Sequence, residues 1–204
     1  MAPRLYIAGT GSFAAEIVSW AEDTGVEIGG LIELQHPQRV GSKIHGIRVV
    51  GLDAPPPGGS AVLGLGGDRQ ASWQLLAGGG WSAGGVVHPT AHVAASAHLA
   101  PSATVGPHSV VGAEAEIGEH VILSRGVLVG HHARVGDFAT LNPGANVGGN
   151  SDIGVGAFLG MGCVIVNGLR VGRDATVAAG AVTIRDVPPG ARVQGIPAVL
   201  YPSR

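Results

Sequence analysis

The chain has 204 residues, of which 45% are hydrophobic and 13% charged, and its formal net charge is −2. This balance, with no run of Lys or Arg, argues against binding to nucleic acid or to anionic membranes. No apolar stretch reaches transmembrane length, the first residues lack the layout of a signal peptide, and the single Cys163 excludes an internal disulfide framework. We therefore expect a cytoplasmic protein.

The first 82 residues alternate between strand and helix patterns. Strands are predicted at 5–8, 26–34, 47–50 and 61–66, and a second helix at 68–76. The first helix is expected to run to about residue 24, with Thr10 or Ser12 as its cap and Gly25 as its end. This alternation predicts a small α/β domain over residues 1–82, with a Rossmann-like parallel sheet.

A glycine-rich turn joins the first strand to the first helix. Gly9, Gly11 and Ala14 fit the dinucleotide fingerprint G-x-G-x-x-G/A, and Glu33 follows at about the expected distance. Three interpretations stay open: an NAD site, a turn without a ligand, and a nucleotide or sugar-phosphate cradle at the helix N-terminus. The small size of the domain and the lack of a hydride-transfer domain argue against NAD, and the free N–H groups of a helix N-terminus, which favour anions, suit the cradle.

The second part of the chain, residues 83–204, repeats every six residues. Sixteen consecutive hexad positions from Val87 to Val177 are all Val, Leu or Ile. A fixed hexad period indicates a parallel β-helix. Four residues after each aliphatic stands a mostly small residue, as expected of a second inward column, and Cys163 belongs to this column.

The remaining hexad positions predict the corners of the coil. Pro143-Gly144 shows the pattern best, a Pro followed by a residue that tolerates positive φ, as in a type II turn. Three hexads then form one triangular coil of 18 residues. That period stacks five outward residues in one column, mostly of alternating charge, and predicts an exposed charge ladder: His98, Glu116, Arg134, Asp152 and Arg170.

This hexad pattern resembles the left-handed β-helix of hexapeptide-repeat acyltransferases. With the α/β domain in front, the chain resembles one subfamily, the sialic acid O-acetyltransferases and the N-acetyltransferases of nucleotide-linked 4-amino-sugars. The resemblance implies homotrimers, acetyl-CoA as co-substrate in the groove between adjacent β-helices, and a nucleotide-binding N-terminal domain. It thus implies transfer of an acetyl group to an amino group of a nucleotide-linked sugar.

The catalytic histidine of this family lies in an I-x-H-[DE] segment, which V-G-H-H at residues 129–132 resembles. The resemblance assigns the general base to His131, whose corner position points its side chain outward. An imidazole suits this role because it accepts protons at neutral pH. His132 replaces the family's acidic residue, and it also occupies the positive-φ column. We hypothesise that Glu114, one coil below His132, supplies the carboxylate.

The resemblance also indicates residues that contact acetyl-CoA. Their counterparts in this chain are Thr140, Gly149, Met161 and Ala179. GIPAVL at residues 195–200 resembles the family's G-x-P-A ending but lacks the Lys or Arg that usually follows it. Phosphate contacts are therefore expected from Arg185, or from Arg173 or Arg192.

On the acceptor side, the resemblance aligns Gly11, Ser12 and Phe13 with the loop that holds the sugar nucleotide. Glu33-Leu34 replaces an acidic pair that contacts ribose or base, and the loop beginning at Gly66 matches a G-[DN]-N segment loosely. Phe13 stands where amino-sugar enzymes often have His, which resembles the sialic acid branch. An O-acetyltransferase acting on sialic acid or a related acceptor is therefore the second interpretation.

Two further alternatives concern the β-helix itself. Zinc-dependent carbonic anhydrases use this fold with three histidine ligands, but Gly136 and Asp137 occupy the places of the third, and adjacent histidines are expected to diverge around a turn. We therefore expect no metal site. The missing acidic partner at His132 leaves open a non-catalytic β-helix scaffold.

Overall fold

The computed structural model describes residues 4–53 and 55–201. The chain divides into two compact units, residues 1–87 and 88–204. The sequence placed the boundary after residue 82, within the strand Ser82–Ala83.

The first unit contains a six-stranded sheet and two helices. In chain order the elements are β1 (Arg4–Ala8), α1 (Ser12–Asp23), β2 (Ile28–Ile32), a 3-10 turn (Pro37–Arg39), β3 (Lys43–Ile44), β4 (Ile47–Val50), β5 (Gly59–Leu63), α2 (Arg69–Gly78), β6 (Ser82–Ala83) and β7 (Val86–Val87). The strand order is β3-β4-β2-β1-β5-β6. All neighbouring pairs are parallel except β3 with β4. The Rossmann-like assignment of this unit stays a prediction.

Helix α1 buries one apolar face, as its sequence pattern predicts. Ile17, Trp20 and Ala21 are buried in a cluster that includes strand residues of β1 and β2. The predicted cap is wrong, because Gly11 is the N-cap and no side chain caps the helix. Thr10 is engaged elsewhere, and Ser12 is the first residue of the helix.

The second unit is a parallel β-solenoid with two-residue strands on three faces. The apolar face consists of β8 (His92–Val93), β11 (Val110–Val111), β14 (Leu128–Val129), β17 (Asn146–Val147), β20 (Val164–Ile165) and β23 (Val182–Thr183). The charged face consists of β9 (His98–Leu99), β12 (Glu116–Ile117), β15 (Arg134–Val135), β18 (Asp152–Ile153) and β21 (Arg170–Val171). The mixed face includes β10 (Thr104–Val105), β13 (Ile122–Leu123), β16 (Thr140–Leu141), β19 (Phe158–Leu159), β22 (Thr176–Val177), β24 (Arg192–Gln194) and β25 (Val199–Leu200), of which β25 is antiparallel.

The predicted aliphatic column forms the core of the solenoid. Every column member from Val105 to Val177 is buried, and so are the small residues of the second inward column from Ala103 onward. Val87 departs from this pattern at 44% exposure, and Val93 and Leu99 are only partly buried. The first coil thus encloses less of its aliphatic column than the coils that follow.

The corners adopt the predicted left-handed backbone. In every hexad from 108 to 180 the third corner residue has positive φ, whether it is Gly or not. His132 belongs to this series with φ 58°. A regular turn at each corner gives the predicted parallel coil, while its left hand stays a prediction.

The predicted charge ladder is present on the charged face. Register places Glu116 beside Arg134, Arg134 beside Asp152, and Asp152 beside Arg170. The four side chains are exposed, and Arg134 Nε lies 3.5 Å from Glu116 Oε2. Exposed pairs of this kind contribute little stability, about 0–1 kcal/mol each.

Candidate active site

His131 lies at the corner that joins the apolar face to the charged face. We call this the His131 corner, formed by residues 112–114, 130–132, 148–150 and 166–168. The His131 side chain is exposed, as predicted for the second corner residue. Its backbone is fixed to the next coil, because the Asn150 N–H donates to the His131 carbonyl at 2.9 Å. The corner therefore presents the His131 imidazole outward from a hydrogen-bonded backbone.

Gly149 forms the surface against which the His131 ring packs. A Cβ built on Gly149 would lie 2.8 Å from His131 Nε2 and 2.9 Å from Cε1. Glycine is thus required here by close approach, since no Cβ can occupy that space while the ring stays. The Gly149 N–H donates to no acceptor among residues 4–53 and 55–201. The residue against which the ring packs therefore has a free amide donor.

The two adjacent histidines converge, so the expectation that they diverge around the turn is wrong. Their Nδ1 atoms are 3.1 Å apart, and their rings meet edge to face with centroids 5.3 Å apart. The left-handed backbone of His132, held by its N–H on the Ala113 carbonyl at 2.9 Å, turns its ring toward His131.

Glu114 stands one coil below His132 in the positive-φ column, with φ 57°. Its backbone N–H donates to Ser96 Oγ at 3.2 Å. Within the described part of the chain, its carboxylate makes no hydrogen bond to either imidazole. The role hypothesised for Glu114 thus stays a prediction, while a contact between the two imidazoles is present.

Of the four residues assigned to acetyl-CoA, three fall at two different corners and one lies on a face. Gly149 lies at the His131 corner. Met161 and Ala179 lie at the corner between the mixed and apolar faces, which we call the Met161 corner (residues 124–126, 142–144, 160–162 and 178–180). Thr140 begins β16 on the mixed face, between Ile122 and Phe158. In one chain, the apolar face therefore separates these candidates into two groups.

Of the three candidate arginines, Arg185 shares the column of His131. The strands of the apolar face pair in register from β14 through β17 and β20 to β23. The corner position of His131 is therefore occupied in successive coils by residues 131, 149, 167 and 185. Arg173 lies at the third corner, between the charged face and the mixed face. Its carbonyl there accepts a hydrogen bond from the Gly190 N–H. Arg192 packs over the ring of Tyr201, 5.9 Å from its centroid.

Cys163 is fully buried in the small inward column. Burial raises the pKa of its thiol to about 12, so the thiolate is scarce at neutral pH. The thiol is therefore unsuited to carry an acyl group, in agreement with its interpretation as a core residue.

The six residues predicted to bind the acceptor surround one cavity of about 350 Å³ in the first unit. These are Gly11, Ser12, Phe13, Glu33, Leu34 and Gly66. Gly9 closes one side with φ 125°, and a Cβ there would lie 2.7 Å from the Gly64 carbonyl oxygen. The end of β1 thus approaches the end of β5 closely, and the cavity opens where these strands end.

Glu33 is buried beneath this cavity and fully engaged by its neighbours. Its Oε1 accepts N–H bonds from Gln35 at 2.9 Å and His36 at 3.0 Å. Its Oε2 accepts the Thr10 hydroxyl at 2.6 Å and lies 3.6 Å from Arg39 Nη1. Burial alone would raise the pKa of Glu33, but these hydrogen bonds and the Arg39 charge lower it below its ordinary value of 4.5.

Arg39 is a cavity residue that sequence reasoning missed. Its side chain is 45% exposed, its Nη1 donates to Thr10 Oγ1 at 3.0 Å, and it lines the cavity with His36. The HPQR segment of the sequence contains this arginine, but only the 3-10 turn directs the Arg39 side chain toward Glu33. The cavity thus combines a satisfied carboxylate with an accessible guanidinium, which suits an anionic ligand.

We expect Glu33→Gln to destabilise the protein by about 1–3 kcal/mol at pH 7, because Gln replaces a charged acceptor of several hydrogen bonds. The folded-state pKa of Glu33 is lowered, so its contribution is present above 4.5 and is lost as pH falls through the lower value. Urea unfolding of both proteins at neutral and acidic pH measures this difference.

Glu27→Gln is the matched control, because Glu27 forms an exposed pair with Arg4 at 2.7 Å. Its effect should stay within about 1 kcal/mol. A Glu33→Gln effect that is no larger, or that grows toward acidic pH, would contradict the interpretation of Glu33.

Two properties of the described residues bear on other functions. Within residues 4–53 and 55–201, no group of three or more His, Cys, Asp or Glu side chains is arranged to hold a metal ion. The same part of the chain contains no helix with the length and apolar character needed to span a membrane.

The chain matches no known family model and no curated protein sequence. Solved structures match it over its whole length. A mutant of perosamine N-acetyltransferase from Caulobacter crescentus, in complex with CoA and GDP-perosamine, has a TM-score of 0.90 and 27% identity, covering 100% of this chain and 99% of that one. In that mutant one histidine is replaced by asparagine.

A second match is the acetyltransferase domain of PglB from Neisseria gonorrhoeae FA1090 in complex with acetyl coenzyme A. Its TM-score is 0.86 at 27% identity, covering 97% of this chain and 98% of that one. WeeI from Acinetobacter baumannii AYE has a TM-score of 0.88 at 22% identity, covering 97% and 99%, and supports the fold alone. This chain therefore shares its architecture with the hexapeptide-repeat β-helix acyltransferases, and the resemblance predicted from its sequence is confirmed.

Proposed function

We propose that this protein transfers the acetyl group of acetyl-CoA to an amino group of a nucleotide-linked sugar, with His131 as general base. The observation that carries the proposal is the outward imidazole of His131, which packs on Gly149, a residue whose backbone N–H is free. A base next to an amide donor is the pair that amine attack on a thioester needs. Two similar proteins, with CoA and GDP-perosamine or with acetyl coenzyme A, support the choice of substrates.

The cavity of the first unit supports a nucleotide-linked acceptor. Arg39 offers its guanidinium at the cavity, where Glu33 and Thr10 hold it. Because Glu33 is saturated by four neighbours, we assign it to positioning the Gln35–His36 backbone and Arg39. The ligand would then meet Arg39, the backbone from Gly11 to Phe13, and the small residues around Gly66, an environment that suits a diphosphate.

In the proposed reaction His131 Nε2 accepts a proton from the acceptor amine as the nitrogen attacks the thioester carbon. A C–N bond forms, and the carbonyl oxygen becomes an oxyanion, to which the Gly149 N–H can donate. The C–S bond then breaks as the carbonyl re-forms. The leaving thiolate takes the proton from His131, so the imidazole returns to its neutral state and no acyl-enzyme is formed.

We further propose that the active protein is a homotrimer with acetyl-CoA between adjacent left-handed β-helices. Of the assigned CoA contacts, Gly149 lies at the His131 corner whereas Met161 and Ala179 lie at the Met161 corner, so one chain does not bring them together. The apolar face between these corners leaves Val110 37% and Leu128 42% exposed. A second copy that covers this face would bring the Met161 corner of one chain toward the His131 corner of the next.

We expect Leu128→Glu to convert a trimer into single chains and to abolish acetyl transfer, because it places a charge in the proposed interface. Arg134→Glu, on the charged face, should leave the assembly intact. Sedimentation measures the mass, and circular dichroism verifies folding of both variants. Wild-type protein that sediments as one chain, or a Leu128→Glu protein that stays trimeric, would contradict the proposed interface.

The direct test of the function is release of free thiol from acetyl-CoA in the presence of a panel of nucleotide-linked amino sugars. We expect release with at least one of them and none with the same nucleotides lacking an amine. A protein that releases no CoA with any acceptor would instead support the non-catalytic scaffold.

A further inference from the structure

The contact between His131 and His132 constrains the protons on both rings. Their Nδ1 atoms lie 3.1 Å apart, which is hydrogen-bond distance. One of the two nitrogens must therefore carry a hydrogen and the other a lone pair. If His131 Nδ1 donates, its Nε2 is left with a lone pair. If His132 Nδ1 donates, a neutral His131 carries its hydrogen on Nε2 and has no base there.

The packing shows which nitrogen of His131 faces the reaction. Nε2 is the ring atom nearest to the position of a Gly149 Cβ, at 2.8 Å, and Nδ1 faces His132 instead. Nε2 is therefore the ring nitrogen that lies against Gly149. The base is competent only when His132 Nδ1 accepts the hydrogen bond.

We propose that His132 is a positioning residue that holds His131 in its base-competent tautomer by accepting the Nδ1–H hydrogen bond. This inference rests on the proposed function, since it concerns the base of that reaction. In this inference a neutral side chain, His132, orients His131, which is the role hypothesised for the carboxylate of Glu114. When His131 gains the substrate proton, its Nδ1–H donates from an imidazolium, and the bond to His132 becomes stronger.

The backbone holds His132 in place for this task. Its φ of 58° and its N–H bond to the Ala113 carbonyl fix the direction of the side chain. The charged groups nearest along the coil are Glu114 below and Arg134 on the adjacent strand, both exposed. Because solvent screens exposed charges, the direct contact between the rings has the larger influence on which nitrogen of His131 carries the hydrogen.

Three substitutions separate acceptance of a hydrogen bond from other roles of His132. His132→Asn keeps a neutral acceptor and tolerates positive φ. His132→Asp supplies a charged acceptor, and His132→Gly keeps the backbone but removes the acceptor. The matched control is His108→Gly, because His108 is exposed and has the same left-handed backbone at φ 57°.

We expect His132→Gly to lower kcat/KM about 10- to 100-fold, the range found when a group orienting a metal-bound histidine is lost. The effect should fall on kcat, with KM for acetyl-CoA unchanged. The kcat/KM of His132→Asn should stay within a few-fold of the wild-type value. The kcat/KM of His108→Gly should equal the wild-type value. His132→Asp should remain active, with the acidic limb of its rate–pH profile moved to higher pH, because the carboxylate stabilises the imidazolium.

The tautomer itself can be observed by ¹⁵N NMR of the ring nitrogens, in the folded protein and without substrate. We expect His131 to carry its hydrogen on Nδ1 in wild type and to lose that preference in His132→Gly. A wild-type His131 that carries its hydrogen on Nε2 would overturn the inference, as would wild-type kinetics for His132→Gly or equal losses in the Asn and Gly variants. Failure of the proposed function would appear differently, as wild-type protein without acetyl transfer or a fully active His131→Ala variant.

Discussion

His131→Ala should lower kcat/KM for acetyl transfer by about 10²- to 10⁴-fold, the usual contribution of a positioned general base. The ring is exposed and its removal leaves no cavity in the core, so folding should be unaffected. Release of free thiol from acetyl-CoA, with a nucleotide-linked amino sugar as acceptor, measures the loss. Because the base acts in the chemical step, the change should appear in kcat more than in KM.

The matched control for this substitution is His98→Ala, since His98 is also an exposed histidine of the solenoid but lies on the charged face. That variant should retain wild-type kinetics. If His131→Ala also keeps wild-type activity, the imidazole is not the base. The β-helix would then need another group for proton transfer.

Gly149→Ala should have the second largest effect, about 10²-fold on kcat/KM, although it adds a single methyl group far smaller than any substrate. The new Cβ would lie 2.8 Å from His131 Nε2, so the imidazole must rotate away from its place against Gly149. The atoms nearest to that Cβ all belong to the His131 ring. The backbone therefore need not move, and the free energy of unfolding should change by less than about 1 kcal/mol.

Gly78→Ala provides the comparison, because a Cβ there meets nothing within 4 Å. It should leave activity unchanged. In a His131→Ala background, Gly149→Ala should cause no further loss, since the ring that it displaces is already absent. Additional loss in that background would show that Gly149 acts on the substrate independently of the ring.

The sequence predicted the solenoid well because each position of a hexad has one physical task. An aliphatic such as Leu141 must point inward, a small residue such as Cys163 must fit a narrow wall, and a corner residue such as Asn150 must tolerate positive φ. These requirements recur every six residues and depend little on distant contacts. The first unit was harder to predict, since the sequence has no repeating pattern at its short strand β3 or at the turn Pro37–Arg39.

The details of the two sites depend on side-chain directions that no pattern gives. The exposure of His131 followed from its place in the hexad, but the direction of the His132 ring did not. Convergence of the two rings requires the left-handed backbone and the space over Gly149 together. Similarly, the sequence did not show that Glu33 accepts hydrogen bonds from its neighbours or that Arg39 lines the same cavity, and contact of Glu33 with a ligand stays a prediction.

The most direct measurement uses acetyl-CoA labelled with ¹³C at the carbonyl, incubated with a nucleotide-linked amino sugar and wild-type protein, and followed by NMR. We expect the label to leave the thioester and appear as an amide carbonyl on the sugar, at a rate that collapses in His131→Ala. A label that appears as an ester, or that stays in the thioester with every acceptor tested, would contradict amine acetylation by this imidazole.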